Sequence, residues 1–336
     1  MKLYRQMLSM SAALAVCATT SVFSQTANPL SELQAQVDGF SDKLAQSLPF
    51  NATLGLNWSD AYIGQLIGIP PHFGVGVSGG VTTMDLGYLT KLTDLFGVSL
   101  DLPIDRMIMP GYTVEGRIGG FFLPFDVGLK FGVLPQMNFT ENITFDYTLV
   151  GGDIRYALLK GPILPNVSLG VGLHYLRGGI GTVIQGAGTS FTFNSPSPHT
   201  LKLSDPELAF SWETTTLDFK AQISKSLFIV TPYLGLGVSH GWSKAGYTVD
   251  SDLTYDGTTV DGSTIEGLKD ALALAGIGGI AIDEQGFSSI LEKNGWGFRV
   301  FGGLSFNLLV IRLDLTGMYS FLDSNFGGSF GVRFQL

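Results

Sequence analysis

The sequence predicts an all-β fold: an antiparallel transmembrane β-barrel of about 10–14 strands, with about twelve as the best estimate, preceded by a short N-terminal α-helix. Three observations predict it. Apolar side chains alternate with polar residues or glycine, 45 of the 336 residues are glycine, and short and long connections follow one another. The mean hydropathy is +0.30, yet beyond the N-terminus no run of about 18 apolar residues could form a membrane helix. Barrel strands reconcile the two, because successive side chains point to opposite faces.

The first residues predict a secretory signal peptide that spans residues 1–24. Two basic residues precede a mostly apolar stretch, and short side chains predict cleavage between Ser24 and Gln25. Cleavage would remove Cys17, the only cysteine, so no disulfide or thiol chemistry is expected in the mature chain. The alternative is a lipoprotein signal with a lipidated Cys17, although Val16 is larger than the residue usual before such a cysteine.

Charge and motifs exclude several classes of function. Once the signal is removed, 17 of the 19 basic residues remain against 28 acidic ones, and an acidic secreted chain is not expected to bind nucleic acid. The four histidines lack metal-ligand spacing, and no Gly-x-Ser-x-Gly nucleophile motif occurs. The sequence therefore predicts no enzyme active site, no metal and no cofactor.

Two local patterns match ligand sites by their letters alone. Gly74, Gly76 and Gly79 fit a dinucleotide fingerprint, but they lie within an alternating segment and not between a strand and a helix. Four aspartates fall in one acidic stretch whose oxygens could bind calcium, but their spacing is not that of an EF-hand. A solvated loop is the expected structure around Asp250, Asp252, Asp256 and Asp261.

An amphipathic helix is predicted before the first strand. Apolar residues recur at steps of three and four, as they do on one face of a helix: Leu30, Leu33, Val37, Phe40, Leu44 and Leu48. We therefore divide the chain into a signal peptide (1–24), an N-terminal helix that is a candidate plug of the lumen (25–49) and the barrel (50–336).

The stretch around residues 126–133 illustrates the strand pattern. Val127, Leu129 and Phe131 share one face, with Asp126 and Lys130 on the other. Glycine, frequent on the polar face, suits a crowded barrel interior better than the surface of a soluble β-sandwich, which is the structural alternative, so apolar side chains are expected to face lipid. Ten alternating segments are clear, and candidate further strands lie at 50–58, 182–194 and 245–256.

Charged residues of these segments are predicted to face the lumen, because a charge that faces lipid at the midplane costs about 2–4 kcal/mol. Their signs nearly balance, which argues against a strong single-sign selectivity filter. The predicted lumen-facing residues are Glu115, Arg117, Asp126, Lys130, Asp146, Asp218, Lys220, Arg299, Arg312, Asp314 and Arg333.

Large aromatic residues near strand ends predict girdles at the two membrane interfaces, where amphipathic rings are enriched. The alternative for each of them is packing in a core. The predicted girdle residues are Trp58, Tyr175, Trp212, Tyr233, Trp242, Trp296 and Tyr319.

Connection lengths predict how the strands are oriented. Tight turns are expected at 122–124, 160–166, 224–227 and 307–309, and long connections at 85–109, 179–210 and 241–293. Short turns on one rim and long loops on the other are typical of outer-membrane barrels. Counting back from the C-terminus places every tight turn on the same rim as the C-terminus.

The C-terminal strand carries the most specific motif. Ser329, Gly331, Phe334 and Leu336 occupy the polar, glycine and large apolar positions of a pattern that resembles the β-signal of bacterial outer-membrane proteins. Leu336 departs from the pattern, since an aromatic residue is commoner there. The resemblance implies a location in the cell outer membrane, with outer-membrane lipid and the barrel-assembly machinery as partners.

A second resemblance concerns residues 57–64 (Asn-Trp-Ser-Asp-Ala-Tyr-Ile-Gly) and 69–74 (Ile-Pro-Pro-His-Phe-Gly). They are similar to a stretch of uncharacterised outer-membrane proteins of spirochaetes. A short helix before a barrel also resembles the layout of fatty-acid transporter (FadL-like) barrels. These resemblances imply a channel or transporter that passes small solutes, hydrophobic ones included, whose identity the sequence does not give. The alternative is a non-transporting surface protein whose long loops bind partners.

Overall fold

The structure is a computed structural model. It describes residues 29–67, 71–85, 106–140, 143–161, 163–183, 189–194, 197–274, 281–284 and 286–336. The predicted signal peptide, its cleavage site at Ser24 and Gln25, and Cys17 lie outside the described residues.

Two helices and thirteen strands form along the described chain. The helices are α1 (Pro29–Asn51) and α2 (Ile265–Leu274). The strands are β1 (Phe73–Asp85), β2 (Arg106–Gly119), β3 (Phe125–Thr140), β4 (Ile143–Leu159), β5 (Asn166–Val183), β6 (Thr189–Asn194), β7 (Pro198–Ser224), β8 (Val230–Tyr255), β9 (Thr258–Thr259), β10 (Ala281–Ile282), β11 (Gly286–Leu308), β12 (Ile311–Ser320) and β13 (Phe326–Gln335).

Ten of the described strands close into an antiparallel barrel, as the sequence predicts. The ring runs β1-β2-β3-β4-β5-β7-β8-β11-β12-β13 and closes where β13 pairs with β1, with Gln335 opposite Gly74. The estimate of twelve was too high. The candidate strand at 50–58 lies inside the lumen. The described part of 182–194 contains the end of β5 and the short β6, which pairs with β7, and 245–256 is the far part of β8.

Four tight turns lie at one end of the barrel, which we call the turn rim: 120–124, 160–165, 225–229 and 309–310. We call the opposite end the distal rim. Much of the predicted long loops 179–210 and 241–293 is in fact strand. The ladder between β7 and β8 continues to Leu201 opposite Tyr255, and that between β8 and β11 to Asp250 opposite Gly286. These strands therefore extend beyond the rest of the wall.

The outer face of the barrel is apolar. Phe131, Phe219 and Phe334 are 55 %, 46 % and 40 % exposed, so they do not pack between stacked sheets. From Val230 to Trp242, β8 rises roughly 25–30 Å if it is tilted by 35–45°. An apolar face of that height matches the hydrocarbon core of a bilayer. No helix in the described ranges is long and apolar enough to cross a membrane.

The extended strands carry a small core of their own beyond the distal rim. Helix α2 buries Leu268 completely, and Leu201 and Leu253 of the strands are 1 % exposed. Asp261 caps α2: its carboxylate accepts the N–H groups of Ser263 and Thr264, both at 3.0 Å. These bonds and those from the two hydroxyl groups lower the pKa of Asp261 to about 2. The expected loop is therefore only partly a loop: Asp250 and Asp252 lie in β8, Asp256 lies in the turn that follows, and Asp261 caps α2.

Candidate functional site: the filled lumen of the barrel

Residues 38–66 occupy the interior of the barrel, and we call them the plug. At its distal end the Phe40 ring lies 5.1 Å from that of Phe210, and Asp42 pairs with Lys293 at 2.5 Å. At the turn rim the Leu66 N–H donates to the carbonyl of Gly120 at 3.0 Å. The chain therefore runs through the lumen from the distal rim to the turn rim before β1 turns back. The barrel wall begins at Phe73 and not at residue 50.

The distal half of the lumen is apolar. Leu44 and Leu48 of the plug are fully buried against the wall, and Phe40 and Phe50 are 4 % exposed. Inward-facing wall residues complete this core: Met84, Met109, Tyr147, Leu149, Leu176, Phe210, Trp212 and Tyr247. In this half of the barrel the apolar side chains of the strands point inward, whereas the sequence predicted that they face lipid. Burial of each such side chain stabilises the fold by about 1.5–3 kcal/mol.

Below α1 the plug is extended but pairs with no strand of the described sheet, so wall side chains satisfy its backbone groups. The Lys130 ammonium donates to the carbonyls of Ala52 and Leu54, at 2.7 and 2.6 Å. Lys220 reaches the carbonyl of Leu56 at 3.4 Å. Further bonds link Gln222 to the Trp58 carbonyl at 2.7 Å, Arg155 to the Asp60 carbonyl at 2.7 Å, and the Ala61 N–H to Ser224 Oγ at 2.9 Å.

A network of buried charges lies beside this segment. Arg117 pairs with Asp126 at 2.5 Å and with Asp153 at 2.6 Å, Arg155 pairs with Asp126 at 2.8 Å, and Lys220 contacts Asp153. These side chains are at most 4 % exposed. Removal of one partner from such a network strands a buried charge and typically costs about 3–5 kcal/mol. The network therefore fixes β2, β3, β4 and β7 around the plug.

A second cluster binds the plug to the final strand. Arg333 pairs with Asp314 at 2.7 Å and with Asp60 at 3.0 Å, and its guanidinium lies 4.5 Å from the ring centre of Trp58. The Trp58 indole N–H donates to Glu115 at 2.6 Å. Cation–π and charge-assisted bonds of this kind are strong when shielded from water. The motif at residues 57–64 thus supplies the lower part of the plug.

Two small cavities lie between the described part of the plug and the wall. One of about 60 Å³ lies beside Pro49 and Gly295, and one of about 20 Å³ lies beside Trp58 and Arg333. Each has room for no more than a few water molecules. Among the described residues, no three His, Cys, Asp or Glu side chains are placed to share a metal ion.

One break interrupts the ladders of the barrel wall. Within the described parts of β2 and β3, their pairing ends with Val114 opposite Phe131, although both strands continue towards the distal rim. Beyond that point the Tyr112 hydroxyl donates to the carbonyl of Val133. We call this unpaired stretch of β2 and β3 the seam. Because strands need about 9–11 residues to cross hydrocarbon, the seam lies at the level of the distal leaflet. Tyr147, whose ring lies 6.4 Å from that of Tyr112, connects it to the apolar half of the lumen.

Ten of the eleven predicted lumen-facing residues point inward. Nine of them are at most 7 % exposed: Glu115, Arg117, Asp126, Lys130, Asp218, Lys220, Arg299, Asp314 and Arg333. Arg312 also faces the lumen, with its side chain 19 % exposed and 3.9 Å from Asp60. Asp146 was predicted wrongly: it faces outward, between the inward-facing Phe145 and Tyr147. It lies near the distal end of β4, where an outward charge costs only about 0–1 kcal/mol.

The predicted aromatic girdle divides into two groups. Trp242 and Trp296 point outward, 47 % and 57 % exposed, and Tyr175 and Tyr319 lie on the same outer face. For these four the girdle stays a prediction. Trp58, Trp212 and Tyr233 are corrected, because they point into the lumen and are 3 %, 4 % and 6 % exposed. The plug provides the packing partners that an otherwise empty barrel would lack.

The C-terminal motif lies on the strand that closes the ring. Gly331 faces the lumen and Phe334 faces outward, opposite Val75 on one side and Ile311 on the other. Ser329 pairs with Gly80, and the Leu336 N–H donates to the carbonyl of Phe73 at 3.0 Å. Its role in assembly stays a prediction.

Several residues of the lumen were not predicted from the sequence. Asp153 and Arg155 alternate with outward apolar residues exactly as Asp126 does, so the same pattern could have found them. Gln222 follows the same pattern on β7, between Ala221 and Ile223. Asp60 could not be found in this way, because it lies in the plug, which has no strand pattern.

No protein-family model matches the chain, and no curated protein matches it. Similar solved structures are β-barrels. The translocator domain of autotransporter NalP from Neisseria meningitidis is 10 % identical, with 92 % of this chain and 99 % of that chain covered and a TM-score of 0.30. Ail of Yersinia pestis is 11 % identical (79 % and 97 % covered, TM-score 0.23). The CymD monoaromatic hydrocarbon channel is 8 % identical (79 % and 87 % covered, TM-score 0.24). The barrel assignment here depends on the chain's own strand pairing, and the similarity to spirochaete proteins stays a prediction.

Proposed function

We propose that the protein is an outer-membrane barrel that passes small hydrophobic solutes from its distal side into the membrane through the seam between β2 and β3. The observation that carries the proposal is the break in the wall ladder beside the apolar distal half of the lumen, in a barrel whose interior is filled by the plug. A hydrophobic solute that enters between the plug and the wall there can leave sideways into lipid without crossing the ionic half of the lumen.

The seam has a cause in the sequence. Continued in register, the ladder from Val114 and Phe131 would place Pro110 opposite Pro135. Proline has no N–H to donate and is confined to strand edges and bulges. Strand β3 also shifts its register against β4 between Leu134 and Met137. Each strand therefore lacks one of the N–H donors that would continue the ladder at this height.

Axial passage would require the plug to leave. Seven large apolar side chains of the plug are at most 4 % exposed: Phe40, Leu44, Leu48, Phe50, Leu54, Leu56 and Trp58. At about 1.5–3 kcal/mol each, their exposure alone costs roughly 10 kcal/mol or more. Thermal motion does not open such a plug often enough to support flux, so a permanently open pore is not the function that this lumen favours.

A reversible disulfide bond across the seam tests the proposal. Tyr112→Cys and Val133→Cys place two thiols at outward positions that would be opposed if the ladder continued in register. Because a disulfide needs Cα atoms about 4.4–6.8 Å apart, its formation holds β2 and β3 at the spacing of a paired ladder. Val77→Cys and Val114→Cys form the control, because this pair already faces across an intact ladder. Uptake of a fluorescent naphthylamine is followed in cells whose outer membrane contains each variant, before and after reduction.

We expect oxidised Y112C/V133C to lose uptake and to regain it on reduction, whereas V77C/V114C takes up the probe in both states. The wild-type protein in a planar bilayer should give no steady conductance. Undiminished uptake by the oxidised seam variant, or an open-channel current from the wild-type protein, would overturn the proposal.

The second candidate function is that of a surface protein without transport. The specific observation in its favour is the extension beyond the distal rim, in which α2 packs on β7 and β8 through a separate core with Leu268 fully buried. Folded structure held away from the membrane suits contact with partners. Uptake by the wild-type protein that equals the background of cells without it would favour this candidate.

A further inference from the structure

We propose that a groove on the outer wall of β5, β7, β8 and β11 binds the sugar headgroup of a glycolipid in the distal leaflet. The groove has a volume of about 220 Å³ and is larger than either of the two cavities between the plug and the wall. Its walls are Tyr175 and Trp242. Its floor consists of the smaller residues Thr215 and Asn294, which lie in the same cross-strand row.

The groove lies at the height of lipid headgroups. One row towards the turn rim, the outward residues are Leu173, Leu217, His240 and Trp296. One row towards the distal end they are Arg177, Glu213, Lys244 and Glu292, so the outer face changes from apolar to fully charged across the groove. Tyrosine and tryptophan are enriched at this boundary because their rings suit both environments. An acyl chain could lie on Leu173 and Leu217, directly below Tyr175 and Thr215, while its headgroup enters the groove.

Charge in the groove favours a neutral, hydroxyl-rich headgroup. Its lining contains two carboxylates, Glu213 and Glu292, and two ammonium groups: Lys244 pairs with Glu292 at 2.8 Å, and Lys293 pairs with Asp42 of the plug at 2.5 Å. The charges of the lining therefore balance, and a phosphate would meet no ammonium there that lacks a carboxylate partner. Tyr175 donates to Glu213 at 3.3 Å, which leaves further acceptor positions on that carboxylate for sugar hydroxyl groups. The faces of Trp242 and Tyr175 offer apolar contact to a sugar ring.

Two substitutions test the site. Thr215→Trp fills the floor, and Trp242→Leu removes one wall but keeps an apolar outward residue. Trp296→Leu is the matched control, since Trp296 is a similarly exposed outward tryptophan outside the groove. Native mass spectrometry of the full chain in mild detergent measures binding of a monoglucosyl diacylglycerol, with phosphatidylglycerol of the same chains as the comparison.

We expect the wild-type protein and W296L to retain the glycolipid and to prefer it to phosphatidylglycerol. T215W and W242L should bind it roughly five- to tenfold more weakly, as loss of an aromatic contact or of the floor space implies. Equal retention of both lipids, preference for phosphatidylglycerol, or unchanged binding by T215W would each overturn the assignment. Folding of T215W is checked by the shift in gel mobility on heating, and W242L keeps the test informative if T215W does not fold.

Discussion

Asp126 is the side chain on which the buried network depends most, and its replacement gives the sharpest test of how the plug is fixed. Its carboxylate accepts from Arg117 at 2.5 Å and from two atoms of Arg155 at 2.8 and 3.0 Å. It also accepts the N–H of Ile63 in the plug at 3.2 Å. Asp126→Ala removes all of these acceptors while both guanidinium groups stay buried.

The expected loss of stability follows from the buried cationic side chains that Asp126→Ala leaves without this carboxylate. After the substitution Asp153 remains as the ion-pair partner of Arg117 and Lys220, whereas Arg155 loses the described carboxylate with which it pairs; all three cationic side chains are at most 4 % exposed. Stranded buried charges of this kind cost about 3–5 kcal/mol. We expect D126A to lower the free energy of unfolding by that amount. In D126A/R155M one of the stranded charges is gone, so part of the loss should be recovered.

Urea unfolding of the refolded protein in lipid vesicles, followed by tryptophan fluorescence, measures the change. Asp146→Ala is the control, since Asp146 faces outward near the distal end of β4 and should change the free energy by less than about 0.5 kcal/mol. A D126A variant that loses no more than D146A would refute the view that the network holds the plug and wall together. So would a double variant that is less stable than D126A alone.

Two further predictions concern other parts of the chain. A Cβ atom at Gly241 would lie 2.2 Å from Pro49 Cγ, whereas a Cβ atom at Gly295 would have open space. Gly241→Ala should therefore destabilise the docked plug by about 1–3 kcal/mol, and Gly295→Ala should leave its stability unchanged. The rate of proteolysis of α1 measures the difference. In the folded protein the pKa of Asp261 is about 2, below the ordinary 3.8. The stabilisation of α2 by this carboxylate is therefore complete above about pH 4 and is lost as the pH falls towards 2. An NMR titration of the Asp261 carboxyl carbon with a midpoint near 3.8 would contradict the cap.

Sequence periodicity predicts the wall of this barrel well, because the wall is built from period-two strands and period two is what the sequence records. Leu129 and Phe131 face outward and Asp126 and Lys130 inward, as expected. Closure was also predictable, since a C-terminal strand with one apolar face and Gly331 on the other needs a partner on both edges. The strand number was overestimated because an extended plug and a lengthened β8 resemble extra strands in sequence.

The face to which a strand turns its apolar side is not recorded in the strand itself. In β3 the apolar side faces lipid, whereas in the distal half of β4 Tyr147 and Leu149 face the lumen. The difference lies in the neighbour. Near the turn rim the interior contains extended backbone with carbonyls that need donors, so Lys130 is stable there. Near the distal rim it contains Leu44 and Leu48 of α1, so apolar side chains are stable inside and Asp146 faces out. A prediction that treats each strand alone therefore assigns the wrong face in the distal half of the barrel, where the strand packs against the apolar side chains of α1 and not against the extended backbone of the plug.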